Sequence, residues 1–128
     1  MIYGVGIDLI ETERMKHELV RSGSRFTAAI FTDDEIEYCR RTTNRNVVAQ
    51  RFAGRFSAKE AFLKALGTGL RDGLRWRDVE VSNDDLGKPY LILKNRALEL
   101  TRKEKINNIQ LSISHREDAV TAVVILEI

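Results

Sequence analysis

Glu60 and Lys64 lie one helical turn apart in the stretch FSAKEAFLKALGTG, Phe56 to Gly69, among Phe56, Phe62, Leu63 and Leu66. Positions 52, 56, 60 and 64 form one i, i+4 row that reads Phe, Phe, Glu, Lys. The carboxylate and the amine therefore continue the edge of an apolar face. Taken alone, such a pair is an ordinary solvated ion pair contributing about 0.3–0.5 kcal/mol; the apolar surroundings weigh against that reading here. Asp8 is the second anomaly. It ends a strand otherwise built from apolar residues and glycine, and its face carries Gly4 and Gly6, which leave room for a backbone or a ligand. Asp8 can cap the next helix. Jointly with Glu60 it can also hold a hard cation, since Mg²⁺ takes one or two protein carboxylates and fills its octahedron with water and phosphate oxygens.

Two further motifs bear on an anionic ligand. GTGLRDG begins at Gly67 and includes Gly69. Glycines let backbone amides approach phosphate or a ring, and they equally form a helix C-cap and loop. SISH, Ser112 to His115, ends a strand. His115 falls on the face of Ile109, Leu111 and Ile113, where a satisfied core histidine is the ordinary reading.

The elements that must position these residues follow from periodicity and punctuation. Residues 2–10 read as a strand, with Tyr3, Val5, Ile7 and Leu9 on one face and Ile2, Gly4, Gly6, Asp8 and Ile10 on the other. Thr12 is positioned to cap a helix over 13–22, with Gly23 ending it. Thr32 followed by Glu35 forms a capping-box pattern before a short helix, 33–41. The spacing of Val48, Phe52, Phe56, Phe62, Leu63 and Leu66 predicts a long helix over 46–66, closed by Gly67 in a left-handed conformation. DVEVSND and YLIL read as a hairpin around DLGKP, residues 95–104 as a helix, and the C-terminal run as two strands around HRED. The chain is thus expected to be an α+β protein forming a single domain over 1–128, an antiparallel sheet packed against a long central helix.

Composition limits the function. With 128 residues, 43% hydrophobic and 31% charged, the chain can bury one core. A net charge of +2 from 21 basic and 19 acidic side chains argues against a broad nucleic-acid-binding surface. Arg40, Arg41, Arg45, Arg51 and Arg55 cluster in sequence, but the scarcity of exposed-looking aromatics fits poorly with a single-strand-binding module. Cys39 is alone, so no internal disulfide forms, which points to a reducing compartment. The first ten residues lack a basic region and carry Asp8, unlike a signal peptide. No apolar run approaches a bilayer span, and the cytoplasm is the expected location.

Taken together, GIDLIE at 6–11, FAGRFSAKEAFLKALGTG at 52–69, GKPYL at 87–91 and SISH at 112–115 resemble the holo-acyl-carrier-protein synthases over nearly the whole chain. These are the small single-domain 4′-phosphopantetheinyl transferases. The resemblance implies an enzyme of lipid metabolism that moves phosphopantetheine from coenzyme A to a serine of apo acyl carrier protein, releasing adenosine 3′,5′-bisphosphate. It implies Mg²⁺ held by Asp8 and Glu60, Glu60 as an acceptor for the serine proton, and Lys64 on the phosphates. It also implies coenzyme contacts from Arg55, Gly67, Gly69 and His115, and a homotrimer with active sites between subunits. Both carboxylates and Lys64 are present, which speaks against a structural oligomer that has lost activity. The larger two-lobed transferases carry a second acidic residue two positions after the strand aspartate. Here that place is Ile10, a lack the small group shares, implying that water fills a metal position. In this family the carrier docks on the first helix, where Arg14, Arg21 and Arg25 share a face if the helix extends that far.

Overall fold

Strand-forming residues at both ends of the chain enclose the helix formers in between. In the computed structural model, which describes residues 1–128, the elements in order are β1 (Ile2–Glu11), α1 (Thr12–Arg21), α2 (Gly23–Ile30), α3 (Asp33–Cys39), α4 (Arg45–Leu66), β2 (Val79–Asn83), β3 (Pro89–Leu93), α5 (Asn95–Lys103), β4 (Asn108–Arg116) and β5 (Ala119–Glu127). A single 3-10 turn, Trp76–Asp78, precedes β2. The three-stranded sheet has the order β1-β5-β4 and is antiparallel throughout; β2 and β3 form a separate hairpin. The expected architecture of a sheet packed on a long helix is observed.

β1 packs its glycine-bearing face on α4. A Cβ on Gly4 would stand 2.0 Å from the Ala65 carbonyl oxygen, and one on Gly6 would stand 1.8 Å from that of Ala61. Glycine at these positions lets helix and strand backbones meet directly. The other face of β1 is open: Val5, Ile7 and Leu9 are 54%, 64% and 69% exposed. On the helix side, Phe62, Leu66, Val79, Leu100, Val124 and Leu126 form one part of the core; Met15, Phe31, Cys39, Phe52 and Val120 form another. No helix is long and apolar enough to cross a membrane.

Three expectations are corrected. Thr12 does not cap α1: Glu11 occupies that position without a side-chain bond, while Thr12 is itself the first helical residue and is buried. Gly23 does not simply close the first helix. Its φ of 50° turns the chain and starts a second helix, α2, so Arg25 lies off the first helix. The final turn is tighter than HRED, because His115 and Arg116 belong to β4 and pair with Val120 and Ala119. The capping box at Thr32 and Glu35 and the left-handed Gly67, with φ 86°, occur as expected.

Candidate active site

Close contact between β1 and α4 brings Asp8 against the helix. Ser57 Oγ donates to Asp8 Oδ2 at 3.0 Å, and Lys64 Nζ donates to Asp8 Oδ1 at 3.2 Å and to the Ile7 carbonyl at 3.0 Å. The Asp8 side chain is 15% exposed and that of Lys64 is 53% exposed. Asp8 is thus held on both oxygens, while the lysine stays accessible to a ligand. Glu60 is half-buried. Burial pushes its carboxyl above the ordinary carboxylate range, the Asp8 charge pushes it further, and Lys64 and Arg14 pull it back. Strand and helix therefore bring Asp8, Glu60 and Lys64 into one electrostatic cluster, with Arg14 of α1 reaching its edge. Two mutually repelling carboxylates in a partly desolvated setting suit a divalent cation, which would relieve that repulsion.

A second cluster surrounds Arg55. Although buried, its guanidinium donates to Asn83 Oδ1 at 2.7 Å and stacks on the Tyr38 ring at 3.8 Å. Its Nε has no partner, a buried donor without an acceptor. Arg51 also lies over Tyr38, at 4.9 Å, and donates to the Tyr38 carbonyl. These residues, with Gln50, Pro89 and His115, line an open cleft of about 450 Å³. No carboxylate bonds Arg51 or Arg55, so the cleft can receive an anion. His115 is exposed, which rules out the core-histidine reading.

The two clusters do not meet within one chain. At about 100° per residue, Arg55 points about 140° from Glu60 and 180° from Lys64 around α4. His115 on β4 is separated from Asp8 on β1 by β5, a gap of about 9–10 Å between strand axes. Gly67 and Gly69, with φ 86° and 62°, follow Lys64 in an exposed loop. Arg21 pairs with Glu18 at 2.7 Å, and Arg25 is exposed on α2.

Sequence reading missed Ser57, Tyr38 and Asn83, and it also missed a buried ion pair next to Glu60. Lys59 is fully buried; its Nζ meets Glu35 Oε1 at 2.8 Å and donates to the Trp76 carbonyl at 3.0 Å. Glu35 also accepts from the Val81 amide at 2.8 Å. A signal existed: Lys59 falls seven residues after Phe52 and three before Phe62, on the core face of α4. Cys39 is fully buried, and burial pushes its thiol up to about 12.

A carboxylate pair with an accessible lysine beside it, and an arginine cleft with no carboxylate partner, are chemically suited to a phosphorylated ligand. Residues 4–124 match the family model of the 4′-phosphopantetheinyl transferase superfamily, and the chain belongs to that family. The holo-[acyl-carrier-protein] synthase of Geobacter sp. (strain M21) is 49% identical over 127 residues, covering 99% of each chain. The crystal structure of holo-[acyl-carrier-protein] synthase from Neisseria meningitidis matches with a TM-score of 0.85 at 34% identity, covering 99% of both chains. The Bacillus anthracis synthase in complex with CoA (3′,5′-ADP) matches with a TM-score of 0.81 at 36% identity, covering 98% of this chain and 96% of that one.

Proposed function

We propose that residues 1–128 act as one catalytic domain that transfers the 4′-phosphopantetheine group of coenzyme A to a serine of apo acyl carrier protein. The observation that carries this reading is the cluster of Asp8, Glu60 and Lys64 where β1 meets α4, within a chain of this family. The serine oxygen attacks the phosphorus on the pantetheine side of the coenzyme pyrophosphate. The bond to the other phosphate breaks, and adenosine 3′,5′-bisphosphate leaves. Glu60 takes the serine proton directly or through a water. Lys64 places a compact positive charge on the phosphates as negative charge moves to the leaving group. Asp8 and Glu60 are the residues that would hold Mg²⁺, which when bound neutralises and orients the pyrophosphate oxygens.

Arg55 and His115 are assigned to the coenzyme phosphates, and Gly67 and Gly69 to its nucleotide end. The unpartnered Nε of Arg55 supports the first assignment. Since the two clusters face opposite sides of α4, a complete site needs a second copy of the chain. The open apolar face of β1, continued by Val123 and Ile125 of β5 opposite Ile7 and Val5, supplies a surface for it. The assembly proposed is a homotrimer. Arg14 is the first carrier contact, beside the reacting centre; Arg21 and Arg25 extend a basic surface toward the acidic carrier. The lone, reduced Cys39 is consistent with a cytoplasmic location.

Mass spectrometry of apo acyl carrier protein incubated with coenzyme A and Mg²⁺ tests the reaction. The carrier should gain the phosphopantetheine mass, and adenosine 3′,5′-bisphosphate should accumulate in equal amount. No gain with several carriers would overturn the assignment.

A further inference from the structure

Positions 53, 57, 61 and 65 of α4 are Ala53, Ser57, Ala61 and Ala65, an i, i+4 row of small residues, all buried. Four residues advance a helix by about 6.0 Å, and two advance a strand by about 6.6–6.8 Å. The row therefore keeps step with the inner face of β1, running in the opposite direction. Gly4 meets Ala65 and Gly6 meets Ala61. At the next rung, Asp8 meets Ser57, whose hydroxyl donates to Oδ2 at 3.0 Å. Among these four helix positions only Ser57 carries a hydroxyl, and on the inner face of β1 only Asp8 carries a charge.

Packing alone does not call for a hydroxyl, since alanine fills the neighbouring rungs. Ser57 is 0% exposed, so its hydroxyl meets Asp8 from inside the helix–strand contact. The rest of Asp8 is held too: Thr121 Oγ1 donates to its backbone carbonyl at 2.7 Å, and Lys64 Nζ takes Oδ1. Lys64 is exposed and has three donors. Without Ser57, nothing else in the structure bonds Oδ2, and the carboxylate is free to turn both oxygens onto the ammonium.

We propose that Ser57 is a positioning residue for the metal-holding carboxylate. Its hydroxyl fixes Asp8 Oδ2 against the helix, so that Asp8 faces the cation in a set orientation rather than collapsing onto Lys64. This rests on the proposed Mg²⁺-dependent transfer and adds to it a residue that never touches metal or substrate. Partners of this kind, one bond removed from a metal, change affinity by about 10–100-fold when removed.

Mn²⁺ serves as the probe, its binding to the enzyme with coenzyme A followed by electron paramagnetic resonance. Ser57→Ala should weaken Mn²⁺ binding by about 10–100-fold and raise the half-activating Mg²⁺ concentration by the same factor. The maximal rate should recover as Mg²⁺ is raised. Ser57→Cys, whose thiol is a weaker donor, should fall between the two. A merely structural role would lower the unfolding temperature and leave the metal constant in place. Equal Mn²⁺ affinity in Ser57→Ala and wild type overturns the inference. A wild type that binds no Mn²⁺ overturns the metal site and the inference together. Failure of the carrier to gain mass defeats the proposed transfer, while the Mn²⁺ titration still decides the role of Ser57.

Discussion

Lys64 makes two bonds in the structure, to Asp8 and to the Ile7 carbonyl, yet half of its side chain faces solvent. A surface ion pair of that exposure contributes little to stability, so its removal separates function from folding. Lys64→Ala should leave the unfolding temperature nearly unchanged and lower kcat by about 10²–10³-fold, the effect of deleting one transition-state donor, with a smaller change in KM for coenzyme A. Lys64→Arg should restore little, because a planar fork does not replace a point charge. An unchanged kcat at saturating substrates would return Lys64 to an ordinary surface partner of Asp8. The proposed reacting trio is legible in the sequence because each member breaks an apolar pattern: Asp8 in a strand, Glu60 and Lys64 in a row begun by two phenylalanines. Ser57, Tyr38 and Asn83 break no pattern. Their roles depend on which strand and which hairpin α4 touches, and spacing along one chain does not encode that.

At the level of elements, the distance between β1 and α4 sets the site. Gly6→Ala would drive a methyl group against the Ala61 carbonyl, which belongs to backbone and cannot swing aside. The cost should be at least the ~1–3 kcal/mol of overpacking, and separation of Asp8 from Ser57 should cost activity beyond the loss of folded protein. Urea unfolding measures the first and kcat per folded molecule the second. A second tie joins the helices to the hairpin. Thr32 Oγ1 donates to Glu80, Lys94 pairs with Glu80 at 3.3 Å, and Glu35 holds the Val81 amide and Lys59. Burial works to raise the Glu80 carboxyl, but the bonds from Thr32 and Lys94 outweigh it and hold it below its ordinary range. Because the folded value lies below the unfolded one, ionised Glu80 stabilises the fold above the ordinary carboxylate value, and this is lost as pH falls through the folded value. Glu80→Gln should therefore destabilise by about 1–3 kcal/mol at neutral pH, with the gap to wild type closing as pH drops below 4.5. A gap that stays constant through the acid range would mean that the charge of Glu80 does not matter. Most elements are legible from period and punctuation; α2 is not. Gly23 reads as a stop in sequence, whereas its positive φ turns the chain and lets GSRFTAAI form another helix that buries Thr27 and Ile30.

For the molecule as a whole, the decisive fact is that one long helix carries two polar clusters on opposite sides. Glu60 and Lys64 face β1, while Arg55 faces Tyr38 and the hairpin. In the proposed function a coenzyme spanning both takes its pyrophosphate contacts from one copy and its remaining phosphate contacts from another, and a closed ring of identical interfaces would provide this without leaving a copy unused. The proposed homotrimer comes from sequence only through family resemblance, because a face such as Val5, Ile7 and Leu9 looks in sequence like any strand facing its own core. The structure leaves those side chains in solvent. Complementation tests the arrangement. Glu60→Gln and Arg55→Ala should each be nearly inactive alone. Dissociated, mixed in equal amounts and reassembled, they should regain about one quarter of the wild-type rate per site, since random neighbours pair an intact catalytic face with an intact cleft in about one interface of four. Ile7→Glu, placing a charge on the open face, should yield smaller particles by sedimentation and abolish that recovery. If both defects instead reside in one self-contained site per chain, mixing restores nothing, and the two clusters must serve separate ligands.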